Sequence, residues 1–266
     1  MTDATTPAPV PPPGPGAPRA DCLADSAGGI TFDIVVVDTA EPVLVLRRRG
    51  GAGPADEARL PLTPAGEGHM RAVLPSTVEL AEGRWDVYLG ERPVEPGIRD
   101  LRALIDRVPD EEGRVNVHLP YPTADGRLAV RSWVRGPHAE AGGLTFGEGT
   151  CTVDGMLYGA ELGPGAVAEA RLGERVHQVP AEGGQGGFAF TLAYDPLAEP
   201  RPVDGQRLWE LWLRPGPHAE PVRISRILDD VWDRKNVFVY PRHQGEGYTA
   251  APCYTSDNDL CVRVTR

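Results

Sequence analysis

Residues 85–89 read Trp-Asp-Val-Tyr-Leu, and residues 209–213 read Trp-Glu-Leu-Trp-Leu, so one alternation of bulky and polar side chains occurs twice. From position 85 to position 209 the offset is 124. A period of two residues is typical of a β-strand with one buried face. The first Trp of each stretch is predicted to lie in a core, because a buried indole removes a large apolar area from water.

The same offset continues beyond these two stretches. The matching polar pairs are Arg99 with Arg223, Arg102 with Arg226, and Asp106 with Asp230. Opposite charges that recur together predict a structural ion pair in each copy, with an anion clamp as the alternative. Two further matches lie at other offsets: residues 28–32 (Gly-Gly-Ile-Thr-Phe) with 142–146 (Gly-Gly-Leu-Thr-Phe), and 128–131 (Leu-Ala-Val-Arg) with 260–263 (Leu-Cys-Val-Arg). Because each copy has the length of a small domain, the matches predict an internal duplication.

The composition favours short strands joined by turns. The 266 residues include 32 Gly and 28 Pro, which disfavour long helices. No ten-residue helical pattern separates the strand-like runs, and this excludes a Rossmann or barrel α/β plan. The predicted fold class is all-β, with two tandem immunoglobulin-like β-sandwiches from the internal duplication and a disordered Pro-rich N-terminal tail.

The domain boundaries follow from these patterns. Residues 1–27 are expected to form the disordered Pro/Ala/Gly-rich tail, 28–135 the first β-sandwich, 136–143 a linker, and 144–266 the second β-sandwich. Within the first sandwich, residues 98–108 fit either a strand or a helical face, and we expect a strand followed by a short helical turn.

The net charge limits the kinds of binding partner, and the lengths of the apolar runs bear on the cellular location. A formal net charge of −11 disfavours nucleic acid and anionic lipid surfaces, which require a concentrated basic face. No apolar run approaches the roughly 18 residues of a membrane span, and the N-terminal residues lack a signal-peptide pattern, so we expect a cytoplasmic protein. The four cysteines would stay reduced there, with a local hairpin clip between Cys253 and Cys261 as the alternative.

The segment from Pro241 to Asp259 is predicted to be an enlarged loop, because the first copy crosses the equivalent gap with residues 120–126 alone. A large loop with reactive side chains on a rigid sandwich is a common place for binding or catalysis. The candidate catalytic residues are His243, Cys253 and Asp257, and the first two would act as base and nucleophile within hydrogen-bond reach. The candidate ligand-binding residues, from this loop and the shorter loop of the first copy, are Tyr121, Asp125, Tyr248, Tyr254 and Asp259.

The familiar cofactor and metal motifs are missing from the sequence. Residues 183–187 (Gly-Gly-Gln-Gly-Gly) lack the following Lys-Ser/Thr of a phosphate loop, and residues 257–259 (Asp-Asn-Asp) lack the Gly and the distal Glu of a calcium loop. Neither His-Glu-x-x-His, nor Gly-x-Ser-x-Gly, nor a zinc-ligand spacing occurs. We therefore expect no cofactor and no metal.

Three phrases resemble a known kind of domain. Residues 43–49 (Val-Leu-Val-Leu-Arg-Arg-Arg), 59–64 (Arg-Leu-Pro-Leu-Thr-Pro) and 81–88 (Ala-Glu-Gly-Arg-Trp-Asp-Val-Tyr) are similar to small immunoglobulin-like domains. Such domains are attached to, or encoded beside, bacterial glycosyltransferases and glycerophosphotransferases that build cell-surface glycopolymers. The resemblance implies a β-sandwich accessory that binds a polymer or assembles a transferase, and it carries no catalytic residue across.

Three functional hypotheses follow from the sequence. The first is a non-catalytic tandem β-sandwich that serves as a binding or assembly partner in glycan or specialised metabolism. Its partner would be a glycosyltransferase or another biosynthetic protein, and its ligand a carbohydrate or small molecule. The second is an uncommon all-β enzyme, of transferase or cyclase type, with its site at residues 241–259. The third is an oligomeric scaffold that associates through edge strands.

Overall fold

The computed structural model describes residues 16–35, 43–66, 68–200 and 205–266, and most of them lie in β-strands. The all-β class is confirmed. The chain divides into two compact units, one formed by the described residues of Met1–Arg107 with Asn116–Val134, and the other by Val108–Val115 with Arg135–Arg266. Among the described residues, no helix has both the length and the apolar character needed to cross a membrane.

The first unit contains two sheets. Its strands are β1 (Arg19–Ala24), β2 (Ile30–Val35), β3 (Val43–Arg48), β4 (Glu57–Pro61), β5 (Thr63–Gly66), β6 (His69–Leu74), β7 (Gly83–Leu89), β8 (Arg92–Pro93), β9 (Glu95–Asp100), β10 (Val115–Pro122) and β11 (Leu128–Arg135). One sheet has the order β5-β6-β2-β1-β9, and the other has the order β10-β11-β7-β3-β4 with β8 beside β7. Two short 3-10 helices, Pro54–Asp56 and Arg102–Asp106, lie in the connections.

The second unit is built from the remaining strands. They are β12 (His138–Gly147), β13 (Thr150–Tyr158), β14 (Val167–Leu172), β15 (Arg175–Pro180), β16 (Gly187–Ala193), β17 (Gln206–Arg214), β18 (Val222–Ser225), β19 (His243–Gly245), β20 (Tyr248–Tyr254) and β21 (Leu260–Thr265). One set has the order β16-β13-β12-β18, and β18 continues onto β17. Around β17 the order is β15-β14-β17-β21-β20-β19. The helices α1 (Asp195–Ala198) and α2 (Arg234–Val237) are single turns.

Each unit has a Trp at the centre of its core. Trp85 on β7 and Trp209 on β17 are both 1% exposed, and the burial along each strand alternates as the sequence predicts. A buried indole needs an acceptor for its N–H. Trp85 Nε1 donates to the carbonyl of Ala81 at 3.0 Å, and Trp209 Nε1 donates to the carbonyl of Leu197 at 3.1 Å.

The predicted tail is wrong from Arg19 onward. Strand β1 occupies Arg19–Ala24, pairs antiparallel with β2 and parallel with β9, and buries Ala20, Cys22 and Ala24. These small residues alternate with exposed ones, a period-two pattern that the surrounding Pro and Gly obscure. Residues 1–15 of the expected tail lie outside the described residues.

The predicted linker at 136–143 is also wrong, because β12 begins at His138 within it. Ala139 and Ala141 are buried on this strand, and β12 pairs with both β13 and β18. Residues 142–146 therefore lie on the first strand of the second unit, whereas residues 30–32 lie on the second strand of the first unit. The sequence match between Gly28–Phe32 and Gly142–Phe146 therefore falls on strands that occupy different places in the two units.

Residues 98–108 contain the end of β9 and the 3-10 helix Arg102–Asp106, which is the predicted combination of strand and helical turn. The predicted ion pairs with Asp106 and Asp230 are wrong. Arg102 instead contacts Asp100 at 2.6 Å, and Arg226 contacts Asp229 at 3.4 Å. Arg223 contacts Glu210 at 2.7 Å, across the strands β18 and β17. The arginine positions recur in the sequence, but Arg102, Arg223 and Arg226 pair with carboxylates other than Asp106 and Asp230.

Candidate functional site

The expected loop at 241–259 consists mainly of strands. Strand β19 (His243–Gly245) forms a hairpin with β20 (Tyr248–Tyr254), and β20 pairs along its length with β21. Only residues 255–259 form the turn between β20 and β21, where the Thr255 N–H donates to the Asp259 carbonyl at 2.9 Å. The prediction of a large loop is therefore wrong. Most of residues 241–259 lie on β19 and β20, where successive side chains point to opposite faces of a sheet.

The pairing register separates His243 from Cys253. His243 lies opposite Ala250, which faces the core, whereas Cys253 is three positions further along β20 and faces outward. Side chains three positions apart on a strand point to opposite faces. The predicted nucleophile and base pair is therefore not formed. His243 packs instead beside two aromatic rings, with ring centroids 5.8 Å from Tyr194 and 5.9 Å from Tyr248.

Tyr248 and Tyr254 are core residues. They are 2% and 1% exposed, since both occupy inward positions of β20. The Tyr248 hydroxyl donates to Asp195 Oδ1 at 3.0 Å. Tyr254 lies against Phe238 and Tyr240, with ring centroids 6.4 Å and 6.2 Å away, and burial raises its pKa. Buried rings packed in this way hold the hairpin in place and do not face a ligand.

Asp257 and Asp259 belong to the turn after β20. The Thr255 hydroxyl accepts hydrogen bonds from the backbone N–H groups of both aspartates, at 3.1 Å and 3.2 Å. The carboxylate of Asp259 accepts a hydrogen bond from the Ser225 hydroxyl at 2.6 Å and lies 3.6 Å from Arg223 Nε. Asp257 and Asp259 therefore belong to the network of hydrogen bonds and ion pairs around this turn of the second unit.

Tyr121 and Asp125 lie in the first unit. Tyr121 stands near the end of β10, and burial raises the pKa of its hydroxyl. Asp125 lies in the turn before β11, where it accepts a hydrogen bond from the Thr123 hydroxyl at 2.5 Å and contacts Arg127 at 3.1 Å. Asp125 is thus part of a turn network of its own unit.

A pocket lies on the outer face of β17, β21 and β20, with a volume of about 260 Å³. It is lined by Gln206, Arg242, Thr249, Ala250, Ala251, Pro252, Cys253, Arg263 and Thr265. Of the residues predicted as site residues, Cys253 lies in its wall. The volume is below the roughly 300–1,000 Å³ typical of pockets for drug-sized ligands, so it suits a small ligand.

The strand register explains the composition of the pocket. Thr265 on β21 lies opposite Gln206 on β17 and opposite Thr249 on β20, and Arg263 lies opposite Ala251. Directly opposed residues project from the same face of a sheet. Side chains from three strands therefore converge on one outer surface, and Ala251 leaves space beside the Arg263 guanidinium.

The pocket is positively charged. Among the lining residues that the structure describes, the charged ones are Arg242 and Arg263, and none is Asp or Glu. Among the described residues neither guanidinium group is seen in an ion pair, and the buried Arg263 Nε has no hydrogen-bond partner. In a chain of net charge −11, these two guanidinium groups form a local basic site.

The remaining polar groups of the pocket are neutral. The hydroxyl oxygens of Thr249 and Thr265 lie 2.6 Å apart and share one hydrogen bond. Each hydroxyl keeps further capacity to donate or accept, and the Gln206 amide offers both kinds of group. The site can therefore hydrogen-bond the hydroxyl groups of a ligand in addition to attracting its charge.

Cys253 does not have the surroundings of a reactive thiol. Burial raises its pKa, and the nearby positive charges of Arg263 and Lys235 lower it by less. A nucleophilic cysteine needs a lowered pKa or an adjacent base. Cys261 lies directly opposite on β21, and both thiols are free, so the alternative of a hairpin clip is not realised.

A second, more open cavity of about 580 Å³ lies beside α1 and β19. It is lined by Asp195, Pro196, Glu199, His243, Gln244, Gly245 and Glu246. Although three carboxylates occur there, no group of three or more His, Cys, Asp or Glu among the described residues is arranged to hold a metal ion. His243 therefore lies at the edge of an acidic surface.

The sequence interpretation missed Arg242, Arg263, Gln206, Thr249 and Thr265. Two signals in the sequence pointed to some of them. Arg263 belongs to the match between 128–131 and 260–263, and the odd-numbered positions of β20 and β21 project toward the outer face. Their convergence with Gln206 depends on which strands pair, which local sequence does not reveal.

No protein-family model matches this chain, and no curated protein matches it. Among solved structures, it is similar to the crystal structure of S. aureus TarS, with 14% identity and a TM-score of 0.28 over 65% of this chain and 34% of TarS. A TarS fragment, residues 217–571, gives 15% identity and a TM-score of 0.29 over 66% of this chain and 55% of the fragment. A Ca²⁺-stabilized adhesin of an ice-binding Antarctic bacterium gives 12% identity and a TM-score of 0.20, over 78% of this chain and 46% of the adhesin. The chain corresponds to about a third of the length of TarS and about half of the fragment.

Proposed function

We propose that the protein is a non-catalytic binding protein made of two duplicated immunoglobulin-like β-sandwiches, with its ligand site in the pocket on β17, β21 and β20. The observation that carries this proposal is the pocket lining, whose described residues offer two guanidinium groups, two hydroxyls and an amide but no Asp, Glu or His to act as a general base. Catalysis by acid–base or nucleophilic chemistry needs a positioned proton acceptor.

Strand order supports the duplication. The order β6-β2-β1-β9 in the first unit corresponds to β16-β13-β12-β18 in the second, and β10-β11-β7-β3-β4 corresponds to β20-β21-β17-β14-β15. In both units the parallel pair joins the first strand to a strand that comes after the Trp strand, namely β1 with β9 and β12 with β18. Two antiparallel sheets with one such parallel edge pair suit an immunoglobulin-like sandwich.

Cross-strand register supports the duplication at residue level. Val130 lies opposite Trp85, and Val262 lies opposite Trp209, so the match between 128–131 and 260–263 falls on equivalent strands. The turns before these strands also correspond. Gly126 and Asn258, at the offset of 132 that separates Val130 from Val262, have φ values of 76° and 60°.

The biological setting of this binding function is taken from the sequence resemblance. Immunoglobulin-like domains beside glycopolymer transferases suggest a cytoplasmic accessory in glycan or specialised metabolism, with a glycosyltransferase or another biosynthetic protein as partner. The polar pocket agrees with a carbohydrate or a related small molecule as ligand, since sugars are held by hydroxyl, amide and guanidinium groups.

A ligand screen coupled to product analysis tests the proposed function. Nucleotide sugars, CDP-polyols and oligosaccharides are tested by thermal shift, and any ligand that stabilises the protein is then incubated with it and analysed by mass spectrometry. We expect stabilisation of the protein and recovery of the unchanged ligand. Turnover that disappears in Cys253→Ala or His243→Ala would establish the enzyme hypothesis instead. The absence of stabilisation by every compound would contradict a small-molecule site.

A further inference from the structure

The first unit has a filled counterpart of the pocket. If Val130 corresponds to Val262, then Arg131 corresponds to Arg263 and Trp133 to Thr265. In the first unit the guanidinium carbon of Arg131 lies 5.0 Å from the centre of the Trp133 ring, and the two side chains are 8% and 0% exposed. Thr265 is much smaller than Trp, so the position over Arg263 is open.

The charges beside the open position favour one class of ligand. Arg242 and Arg263 bring two positive charges to one pocket without a carboxylate among the described lining residues. A phosphate monoester carries about −1.5 to −2 charges at pH 7 and three acceptor oxygens. Guanidinium groups bind such oxygens through paired, charge-assisted hydrogen bonds. A carboxylate would neutralise only one of the two arginines.

We propose that the pocket binds the phosphate monoester of a small hydroxylated molecule, such as a sugar phosphate, through Arg242 and Arg263. This inference rests on the proposed binding function and specifies its ligand class. Thr249, Thr265 and Gln206 hydrogen-bond the hydroxyl groups of the ligand, and the small Ala251 leaves room beside Arg263. No bond is formed or broken, and the ligand leaves unchanged.

Calorimetric titrations of the full chain with four probes test this inference: glucose 6-phosphate, glucose, glucuronate and inorganic phosphate. We expect glucose 6-phosphate to bind tightest, inorganic phosphate more weakly, and glucose at least tenfold more weakly than its phosphate. Binding should weaken as the pH falls below about 6, where the phosphate monoester takes up its second proton. Binding of glucuronate as tight as that of glucose 6-phosphate would overturn the phosphate assignment.

Three variants locate the site. Arg242→Gln and Arg263→Gln should each weaken binding of glucose 6-phosphate by about tenfold or more, which is the usual effect of one charge-assisted hydrogen bond. The matched control is Arg102→Gln, which removes the same charge from an 89% exposed side chain in the first unit and should leave affinity unchanged. Equal affinity in all three variants would overturn the inference.

A filling variant provides a second, independent measurement. Thr265→Trp places at the open position the residue that the first unit has over Arg131, and it should abolish binding although both arginines remain. Circular dichroism and thermal melting check that each variant is folded. If glucose and glucose 6-phosphate bind equally and Thr265→Trp blocks both, the phosphate inference fails while the proposed binding function stands. If no probe binds, the sugar-phosphate inference fails, and the wider ligand screen still decides the proposed function.

Discussion

The guanidinium carbon of Arg171 on β14 lies 4.9 Å from the centre of the Trp212 ring on β17. The first unit has the same relationship at the same offset of 124, since Arg47 on β3 lies 5.1 Å from the centre of the Tyr88 ring on β7. A cation over an aromatic face is stabilising by about 0.5–1 kcal/mol at exposed sites and more when desolvated. In each unit, the arginine–aromatic pair stabilises the contact between the third strand and the strand that carries the core Trp.

Trp212 is further enclosed by Arg223, whose guanidinium carbon lies 5.1 Å from the ring centre on the β18 side. Arginines from both neighbouring strands therefore flank the indole. A sugar stacks on an aromatic ring whose flat face is open, so Trp212 is a structural residue of the outer face. The pocket on β17, β21 and β20 is a better site for a ligand than this Trp.

Core truncation should unfold the two units separately. Trp85→Ala and Trp209→Ala each remove a fully buried ring and should lower the free energy of unfolding by about 3–5 kcal/mol in their own unit. Urea unfolding followed by hydrogen exchange of each unit measures the effect. Leu208→Ala, at a 36% exposed position of β17, is the control and should cost much less. Equal losses in both units from one Trp variant would contradict independent cores.

Glu169 should make the stability of the second unit depend on pH. Its side chain is 1% exposed, and it accepts hydrogen bonds from Arg171 Nε at 2.7 Å, Arg214 Nε at 2.8 Å and Gln178 Nε2 at 3.1 Å. Burial raises the pKa of Glu169, but the hydrogen bonds from Arg214, Arg171 and Gln178 together hold it below its ordinary value. A carboxylate with a lowered pKa stabilises the folded state above its unfolded pKa of about 4.3, and this stabilisation is lost as the pH falls.

We therefore expect Glu169→Gln to destabilise the second unit at pH 7 by about 3–5 kcal/mol, because it leaves two arginines without their buried partner. The difference from the parent protein should shrink as the pH falls below about 4.3. Chemical denaturation at pH 3.5, 5 and 7 measures both effects. Asp100→Asn, which removes the partly exposed partner of the exposed Arg102, is the control and should have a smaller effect at every pH. A constant difference across the pH range would refute the role assigned to Glu169.

The four thiols should react in two classes. Burial raises the pKa of Cys151 to about 11 and those of Cys22 and Cys261 to about 12, and all three side chains are buried. Cys253 is partly exposed in the pocket wall, and its pKa is also raised. An aromatic disulfide reagent should therefore modify Cys253 alone in the native protein, faster as the pH rises, and the other three only after unfolding.

Mass spectrometry of the labelled protein identifies the modified residue, and Cys253→Ser should abolish native labelling. Glucose 6-phosphate should slow the labelling of Cys253 if it occupies the pocket. Rapid native labelling of Cys22 or Cys151 would be inconsistent with the burial described for the cores of the two units.

The turn residue Asn258 should contribute more to the free energy of unfolding than Gly126, the residue 132 positions earlier. Asn258 is fully buried, its Nδ2 donates to the Val231 carbonyl at 2.8 Å, and its Oδ1 accepts from the Arg234 N–H at 3.2 Å. Asn258→Ala loses both hydrogen bonds, which costs about 1–3 kcal/mol for each buried group left unpaired. It also places a Cβ in the left-handed backbone region, which costs about 1–2 kcal/mol.

Asn258→Gly keeps the backbone conformation and should be less damaging than Asn258→Ala, and Gly126→Ala should show only the backbone cost. Thermal unfolding of the three variants ranks them. If Gly126→Ala proved the most destabilising of the three, the side-chain bridge from Asn258 to Val231 and Arg234 would have no role in stability.

Local sequence predicted the strands whose alternation is strong. In the stretches around Trp85 and Trp209, buried residues alternate with less buried ones, and both stretches form the expected strand. The same reasoning failed for β1, where Ala20, Cys22 and Ala24 are buried by pairing with β2 and β9. Small side chains give a weak periodic signal, so the burial of this strand is decided by its neighbours.

The amino-acid sequence by itself determined the all-β class and the Trp strands, because these depend on residue types at fixed local spacings. Only the tertiary structure decided the candidate site. It placed His243 and Cys253 on opposite faces and brought Arg263, Thr265 and Gln206 to one outer face. The physical reason is that a shift of one residue in strand register moves every side chain to the other face of a sheet, and register is set by pairing across the fold.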